Sequence, residues 1–304
     1  MIFSLIIPCF NEEENIRPMY DEIQKVFSSC NFEYEMIFVN DGSADGTAKE
    51  IKKLIKEGAA KVVMLDFSRN FGKEAAIFAG LEHCKGDFAA IIDGDLQQPP
   101  EVALKMLEIL LEKPDCDCVC AYQEKRIEKS ITAFLKKTFY KVINSLAEVN
   151  FVSDASDFRV MRRNMIEAIL SMHENVRFSK GIFAWVGFHT EFIAYQARQR
   201  NAGQTKWSMR SLFKYAFDGI VSFSASLLKI PGWLSLMSFI SAFVFLIVRL
   251  CEGNFNEVSV AIFVVLLMSG VVLFGVSIAC VYLNRSYSES KRRPIYILRD
   301  KDKN

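Results

Sequence analysis

The sequence predicts an α/β protein with a mostly parallel sheet, followed by a hairpin of two membrane-spanning helices. Three observations support this fold class. Short apolar runs alternate with amphipathic stretches over residues 3–121. Polar residues collect where the apolar runs end. Two long stretches near the C-terminus, residues 232–250 and 258–283, are almost free of charged residues.

The first half of the chain alternates predicted strands and helices. Strands separated by helices imply right-handed crossovers and a parallel sheet that is covered on both faces. In such sheets, ligands bind at the carboxyl ends of the strands. The strands are predicted at Phe3–Ile7, Glu35–Val39, Lys61–Asp66, Phe88–Ile92 and Cys116–Ala121, and the helices at Asn15–Val26, Gly46–Lys56, Lys73–Cys84 and Pro100–Leu111.

Composition narrows the functional classes. The 304 residues carry a net charge of +1, with no dense basic patch outside the membrane-flanking segments, which argues against a nucleic-acid partner. The eight cysteines are scattered, as is typical of a reducing compartment. Cys116, Cys118 and Cys120 are predicted to be small buried residues on one strand face, and metal ligation is the alternative. The N-terminal run ending at Pro8 does not resemble a signal peptide.

The two uncharged stretches predict membrane spans. At about 1.5 Å per helical residue, each can cross a hydrocarbon core of roughly 30 Å. A pair of buried core helices is the alternative. Basic residues flank the pair on its outer sides, whereas the intervening loop carries Glu252 and Glu257. The positive-inside rule therefore predicts that both termini are cytoplasmic, with the chain in the inner membrane.

These features divide the chain into four predicted parts. Residues 211–229 carry apolar side chains at helical spacing and predict an interfacial helix on the membrane. Packing of this helix against the catalytic domain or another subunit is the alternative. The parts are a cytoplasmic catalytic domain at 1–205, an interfacial region at 206–231, two spans at 232–283 and a basic cytoplasmic tail at 284–304.

Four polar loops follow four of the predicted strands. Asp, Asn, Ser and Gly favour caps and turns for their own reasons, so any single loop has a structural explanation. Four such loops on one rim of a sheet instead outline a nucleotide pocket. The loops are Pro8–Glu12, Asn40–Gly46, Phe67–Asn70 and Asp93–Gln97.

The Asp93-Gly94-Asp95 sequence places two carboxylates at a strand end. A hard divalent cation such as Mg²⁺ or Mn²⁺ takes oxygen ligands and often bridges substrate phosphates. Asp95, with Gln97 nearby, is predicted to bind the cation, while Asp93 reaches a ribose or holds the metal through water. The metal would stabilise negative charge on a leaving diphosphate. A structural turn is the alternative.

Three of the segments, Pro8–Glu12, Val39–Thr47 and Asp93–Gln97, resemble the signature of the inverting family 2 glycosyltransferases, which have the GT-A fold. Further segments are similar to the polyprenyl-phosphate glycosyltransferases of that family, such as the bactoprenol glucosyltransferases and, more distantly, dolichol-phosphate mannose synthase. The likeness covers essentially the whole chain. These further segments are Ser68–Glu74, Asp154–Arg159, Ala184–Phe188, Gly203–Ser208 and Arg285–Tyr296.

The resemblance implies metal-dependent transfer of a hexose from a UDP-sugar to undecaprenyl phosphate, which yields a lipid-linked sugar for cell-envelope glycosylation. It implies catalytic roles for Asp95 and Asp157, with Asp157 near the acceptor phosphate and the donor sugar. It also implies nucleotide-sugar binding by Pro8, Phe10, Glu12, Asp41, Ser43, Lys73 and Asp93, and metal binding by Asp93, Asp95 and Gln97.

A lipid phosphate is already anionic at neutral pH and needs no deprotonation. Asp157 is therefore predicted to orient the sugar or the nucleophile; base function, or a salt bridge to Arg159 or another cation, are the alternatives. Basic residues after the fifth strand and near the membrane are predicted to hold the acceptor phosphate, unless they form a solvated face or contact anionic lipids. They are Lys125, Arg126, Lys129, Arg198, Arg200 and Lys206.

Two other functions share these motifs. A processive polysaccharide synthase usually carries a Gln-x-x-Arg-Trp motif, which the chain lacks. A non-catalytic sugar-nucleotide-binding subunit has no need of Asp93, Asp95 and Asp157 together. The apolar helix surface permits a homo-oligomer, and the sequence does not resolve which sugar is transferred.

Overall fold

The computed structural model describes residues 1–59, 61–123, 155–172, 174, 177–198, 257–291 and 293–299. Within these residues, seven strands form one mixed sheet with the order β3-β2-β1-β4-β6-β5-β7. The strands are β1 (Ile2–Cys9), β2 (Glu33–Asn40), β3 (Val62–Asp66), β4 (Phe88–Ile91), β5 (Cys118–Gln123), β6 (Ala155–Arg162) and β7 (Thr190–Tyr195). The helices are α1 (Glu13–Phe27), α2 (Thr47–Lys56), α3 (Lys73–His83), α4 (Pro100–Glu112), α5 (Arg163–Leu170), α6 (Ser179–Trp185) and α7 (Glu257–Ser290).

The predicted α/β class and mostly parallel sheet are confirmed. The five strands and four helices expected in residues 3–121 are present, with ends that differ by a few residues. β1 pairs in parallel with β2 and β4, β2 with β3, and β5 with β7. β6, which the apolar pattern did not predict, is antiparallel to both β4 and β5.

Apolar cores lie on both faces of the sheet. Side chains alternate along a strand, so Leu5 of β1 faces one core and Ile6 faces the other. Helices α1, α2 and α4 cover the first core, and α3, α5 and α6 cover the second. Burial on both faces explains why β1 is an almost uninterrupted apolar run.

The strand order reverses between β1 and β4. β2 and β3 follow on one side of β1, whereas β4 lies on its other side. The crevice outside the carboxyl ends of strands at such a switch point is where open α/β sheets bind ligands. Because β6 is antiparallel to β4, the beginning of β6 lies at this same rim.

Helix α7 contains residues 258–283 and continues past the predicted boundary to Ser290. Among the described residues, no helix combines the length and the apolar character needed to cross a membrane. The other predicted span, residues 232–250, and the interfacial region at 206–231 lie outside the described residues. Residues 293–299 return to the sheet beside the end of β3.

The cysteines at 116, 118 and 120 are buried, as predicted. Cys116 belongs to the first core, whereas Cys118 belongs to the second. The prediction that all three share one face is therefore wrong for Cys116, because this residue precedes β5 and does not follow its alternation.

Candidate active site

Three charged side chains meet at the rim of the sheet. Lys73 Nζ lies 2.6 Å from Asp93 Oδ1 and 3.0 Å from Asp157 Oδ2. Lys73 and Asp93 remain about one-third exposed, whereas the Asp157 side chain is only 14% exposed. The sequence predicted all three as site residues, and the structure brings them together around one ammonium group.

Each member of this group comes from a different element. Lys73 is the first residue of α3, and the preceding Gly72 has a φ of +101°, a conformation that glycine adopts without strain. Asp93 follows β4. Asp157 lies near the start of β6, whose pairing with β4 places Arg159 beside Ile91. The same antiparallel register, continued by two residues, brings position 157 beside position 93.

The electrostatics of the group favour an ionised Asp157. Burial alone raises the pKa of this carboxyl, but the neighbouring charges of Lys73 and Lys180 lower it below the ordinary value. For Asp93, burial dominates and raises the pKa, and the attraction of Lys73 offsets this only in part. Burial lowers the pKa of Lys73, but Asp157 and Asp93 together raise it above its usual value. The ammonium is therefore a fixed positive charge at the site.

Gln98 is a supporting residue that sequence reasoning did not identify. Its side chain is 5% exposed. Its Nε2 donates to Asp93 Oδ2 at 3.0 Å, and its Oε1 accepts from the Asp93 backbone N–H at 2.8 Å. This two-point contact fixes the orientation of the Asp93 carboxylate. The only sequence signal was a second glutamine beside Gln97.

Asp95 and Gln97 lie on a tight turn after β4. Asp95 Oδ1 accepts from the Gln97 backbone N–H at 3.1 Å. Leu96 between them has a φ of +62°, which a non-glycine residue adopts only when its surroundings hold it there; here its side chain is buried. The turn presents Asp95 and Gln97 at the rim, in the position predicted for metal ligands.

The donor atoms at this turn suit a hard divalent cation that also binds substrate phosphate. The described residues contain no group of three His, Cys, Asp or Glu side chains that could hold a metal by themselves. Mg²⁺ commonly takes one or two protein carboxylates and completes its shell with phosphates and water. Asp95 and Gln97 provide oxygen ligands of that kind. In addition, Asp157 Oδ1 is buried without a hydrogen-bond donor in the described structure.

Asp41 anchors the loop that leads to Lys73. Its carboxylate accepts hydrogen bonds from the backbone N–H groups of Phe71 at 2.7 Å and Gly72 at 2.9 Å. Burial raises the pKa of Asp41, and these two hydrogen bonds and the nearby charge of Arg69 offset the effect in part. The structure thus gives Asp41 a positioning role, and the predicted contact with base or ribose stays a prediction.

The loops after β1 and β2 are joined by direct hydrogen bonds. Ser43 Oγ accepts from the Asn11 backbone N–H at 2.9 Å, and Asn11 Oδ1 accepts from the Ala44 backbone N–H at 2.9 Å. The Glu12 backbone N–H donates to Thr47 Oγ1 at 2.9 Å. These contacts join the two loops that carry the predicted nucleotide-sugar residues Pro8, Phe10, Glu12 and Ser43.

Helix α6 adds two residues, Ser179 and Lys180, that lie outside the sequence motifs. The backbone N–H of Ser179 donates to Glu74 Oε2 at 2.9 Å, and its hydroxyl donates to the same oxygen. The next residue, Lys180, is partly buried and acts electrostatically on Asp157. Arg159 does not pair with Asp157; its guanidinium lies 3.6 Å from the Phe183 ring centroid. The cation paired with Asp157 is Lys73.

Of the predicted acceptor-phosphate residues, the structure describes Arg198 alone. Arg198 forms ion pairs with Glu22 at 2.8 Å and Glu101 at 2.9 Å, so two carboxylates already balance its charge. The remaining residues of this set, Lys125, Arg126, Lys129, Arg200 and Lys206, lie outside the described residues.

Comparisons with known proteins show the family to which the chain belongs. The family model "Glycosyl transferase family 2" matches residues 4–170. A bactoprenol glucosyl transferase of Shigella phage SfV is 37% identical and covers 99% of each chain. A prophage bactoprenol glucosyl transferase homolog of Escherichia coli K12 is 36% identical, over 98% of this chain and 99% of the relative. A crystal structure of mannosyl-3-phosphoglycerate synthase from Rubrobacter xylanophilus has a TM-score of 0.50 at 16% identity, and covers 73% of this chain and 72% of its own.

Proposed function

The chain belongs to glycosyl transferase family 2 and is a glycosyltransferase with a GT-A-like fold, and we propose that it transfers a hexose from a UDP-sugar to a polyprenyl phosphate. The reaction is metal-dependent and inverts the anomeric centre. Its product is a lipid-linked sugar that serves as a donor for cell-envelope glycosylation. The observation that carries the proposal is the cluster of Lys73, Asp93 and Asp157 beside the Asp95–Gln97 turn.

The donor end of the site must bind a nucleotide diphosphate. The interlocked loops after β1 and β2 bring Phe10, Glu12, Asp41 and Ser43 to one edge, where a base and ribose can lie. Uridine is the base that the family resemblance favours. Glucose is the sugar named for the bactoprenol relatives, and we propose glucose or a related hexose for this chain.

The chemical difficulty at the donor is the negative charge that develops on the departing diphosphate. Asp95 and Gln97 would hold a divalent cation there, and when bound this cation stabilises the leaving group without a proton transfer. Lys73 contributes a second, permanent positive charge at the same rim. Preorganised charges of this kind act most strongly in a partly desolvated site.

The acceptor needs positioning more than activation. A phosphate monoester is already an anion at neutral pH, so no residue has to remove a proton from it. Asp157 is held in its ionised form by Lys73 and Lys180, which suits a carboxylate that orients the sugar or the nucleophile. We therefore assign Asp157 an orienting role in the transfer step, with attack in line at the anomeric carbon.

A lipid acceptor requires contact with a membrane. We infer attachment to the inner membrane from the sequence, in which residues 232–248 and 258–283 carry no charged side chain. Basic residues on the outer sides of this pair support, by the positive-inside rule, a cytoplasmic location for both termini and the catalytic domain. The exposed apolar side chains of α7, such as Val265, Val272 and Leu283, offer a surface for lipid or for a second copy of the chain.

A donor panel tests the proposal. The purified full-length protein is offered labelled UDP-glucose, UDP-galactose, UDP-N-acetylglucosamine and GDP-mannose, each with undecaprenyl phosphate and Mg²⁺ or Mn²⁺. We expect one UDP-hexose to label the lipid, and the Asp95→Asn variant to lose that product. Label that appears only in a soluble or polymeric acceptor would contradict the proposal and favour a polysaccharide synthase. Saturable UDP binding without any turnover would favour a binding subunit.

A further inference from the structure

The segment after helix α7 returns to the catalytic sheet. We call residues 293–299 the C-terminal strap. The Ser68 backbone N–H donates to the Ile297 carbonyl at 2.9 Å, and the Arg299 backbone N–H donates to the Asp66 carbonyl at 2.7 Å. Phe67 and Leu298 form an antiparallel bridge. The strap therefore pairs with the chain just where β3 ends and the loop to Lys73 begins.

Side chains reinforce this backbone pairing. The Tyr296 ring stacks on Phe67, with centroids 5.0 Å apart and planes inclined by 17°. The Tyr296 hydroxyl donates to Glu82 of α3. Ile295 and Leu298 pack against the second core. Tyr296 is thus in contact with both the beginning of the loop and the helix that follows it.

The strap also supplies a cation to a buried carboxylate. Asp66 is 9% exposed; its Oδ1 accepts from Asn40 Nδ2 at 2.6 Å, while its Oδ2 has no hydrogen-bond donor in the described structure. Arg299 Nη1 lies 3.8 Å from that second oxygen. A buried carboxylate is costly without a nearby positive charge. Asn40 directly precedes Asp41 in the chain. Its hydrogen bond to Asp66 therefore places the strap contact next to the residue that binds the Phe71 and Gly72 amides.

A short chain of contacts connects the strap to the active site. Phe67 packs edge-on against Phe71, with centroids 5.7 Å apart. The Phe71 and Gly72 amides bind Asp41, and Lys73 follows directly. Gly42 permits the close approach of this loop, since a Cβ there would lie 2.2 Å from the Arg69 carbonyl carbon. The loop at residues 67–73 is therefore held by the strap at one end and by Asp41 at the other.

We propose that the C-terminal strap is a positioning element of the donor site, in which Tyr296 holds the 67–73 loop so that Lys73 stays between Asp93 and Asp157. Arg299 assists by neutralising Asp66. The strap follows α7 almost directly, so it also ties that helix to the loop that carries Lys73. The kinetic part of this inference rests on the proposed function, because it assumes that Lys73 serves nucleotide-sugar binding.

The test compares Tyr296→Ala with Ile297→Ala in the full-length protein. Ile297 is a matched control because it belongs to the same strap, contributes its backbone carbonyl and has an exposed side chain. In Tyr296→Ala, the amides at 68–72 are expected to exchange roughly tenfold faster than in the wild type. This factor corresponds to the upper range of the stabilisation that one aromatic pair provides. Exchange in β1 should not change. KM for the nucleotide sugar should rise by a similar factor, with kcat changed much less.

Two further variants keep the inference testable if Tyr296→Ala folds poorly. Tyr296→Phe retains the stack on Phe67 but loses the hydrogen bond to Glu82, so it should lie closer to the wild type than Tyr296→Ala does in both measurements. Arg299→Ala removes a largely exposed side chain, and should speed exchange at residues 66–72 by roughly threefold, as expected for a weak ion pair.

Three results would overturn the inference. The first is unchanged exchange at 68–72 in Tyr296→Ala and Arg299→Ala. The second is a uniform increase across the whole domain in both variants, which indicates general destabilisation. The third is faster local exchange with an unchanged KM. A wild-type protein that transfers no sugar would instead contradict the proposed function, and the exchange measurement would still decide whether the strap holds the loop.

Discussion

Asp93 and Asp157 share the ammonium group of Lys73, just beyond the pair of Ile91 with Arg159 at which the antiparallel register of β4 and β6 ends. Two carboxylates this close repel each other unless a cation stands between them. Lys73 supplies the positive charge that lets these two acids lie together at the partly buried rim.

Replacing Lys73 by methionine should destabilise the fold. The methionine keeps most of the side-chain volume but leaves Asp93 and Asp157 without their cation. We expect the free energy of unfolding at pH 7 to fall by roughly 2 kcal/mol, less than for a fully buried pair because the site is partly exposed. Urea denaturation measures the change. Lys53→Met, at an exposed position, should stay within about 0.5 kcal/mol of the wild type.

The penalty of Lys73→Met should shrink as the pH falls from 7 to 5. In the wild type, the pKa of Asp157 is lowered, so its stabilising contribution is present at high pH and is lost only as the pH falls through that lowered value. In the variant, burial without the Lys73 charge should raise the pKa of both carboxyls, so that protonation in the folded state recovers stability on acidification. A penalty that grows between pH 7 and pH 5 would show that Lys73 does not hold these charges.

Asp157→Asn should reduce kcat/KM by about 100-fold or more, because the orienting charge is lost while the shape is kept. Wild-type activity should show no acidic limb from this residue between pH 5 and 8, because the pKa of Asp157 lies below its ordinary value. The pH–rate profile at saturating acceptor checks this. A limb near pH 6 that disappears in the variant would instead identify Asp157 as a general base.

Asp95→Asn should impair binding of a divalent cation. We expect Mn²⁺ affinity in the presence of UDP, measured by electron paramagnetic resonance, to fall strongly, and turnover to fall by about two orders of magnitude. A chelator should abolish wild-type activity, and added Mg²⁺ or Mn²⁺ should restore it. Asp115→Asn changes an exposed carboxylate away from the rim and should leave both quantities intact. Full turnover in the presence of chelator would rule out the metal.

Asp41 should tolerate asparagine better than alanine. Alanine leaves the Phe71 and Gly72 amides without an acceptor, which costs about 1–3 kcal/mol. Asparagine keeps one acceptor and removes a buried charge. Since burial raises the pKa of Asp41, the wild type loses stability as the pH rises through that value, so the Asp41→Asn penalty should be smaller at pH 7 than at pH 4. Thermal unfolding of both variants at the two pH values measures this difference.

Much of the sheet and of the donor rim could be predicted from local sequence. Short apolar runs that alternate with amphipathic stretches indicated β1 to β5 and α1 to α4, because strands buried on both faces are continuous apolar runs and the helices between them show helical periodicity. The Asp93-Gly94-Asp95 sequence indicated the rim, since carboxylates that directly follow an apolar strand lie at the carboxyl end of that strand. Long-range contacts had no such signal. Gln98, Ser179 and Tyr296 gave no local indication that they would support Asp93, Glu74 and Phe67.

By itself the sequence determined which side chains end the strands, including Asp41, Asp93 and Asp95, because a strand end follows directly from where an apolar run stops. It also carried the resemblance to family 2 glycosyltransferases. Only the tertiary structure decided that Asp157 takes Lys73 and not Arg159 as its partner. That choice depends on the direction and register of β6 beside β4, and a pairing between segments so far apart in the chain is set by packing of the whole sheet.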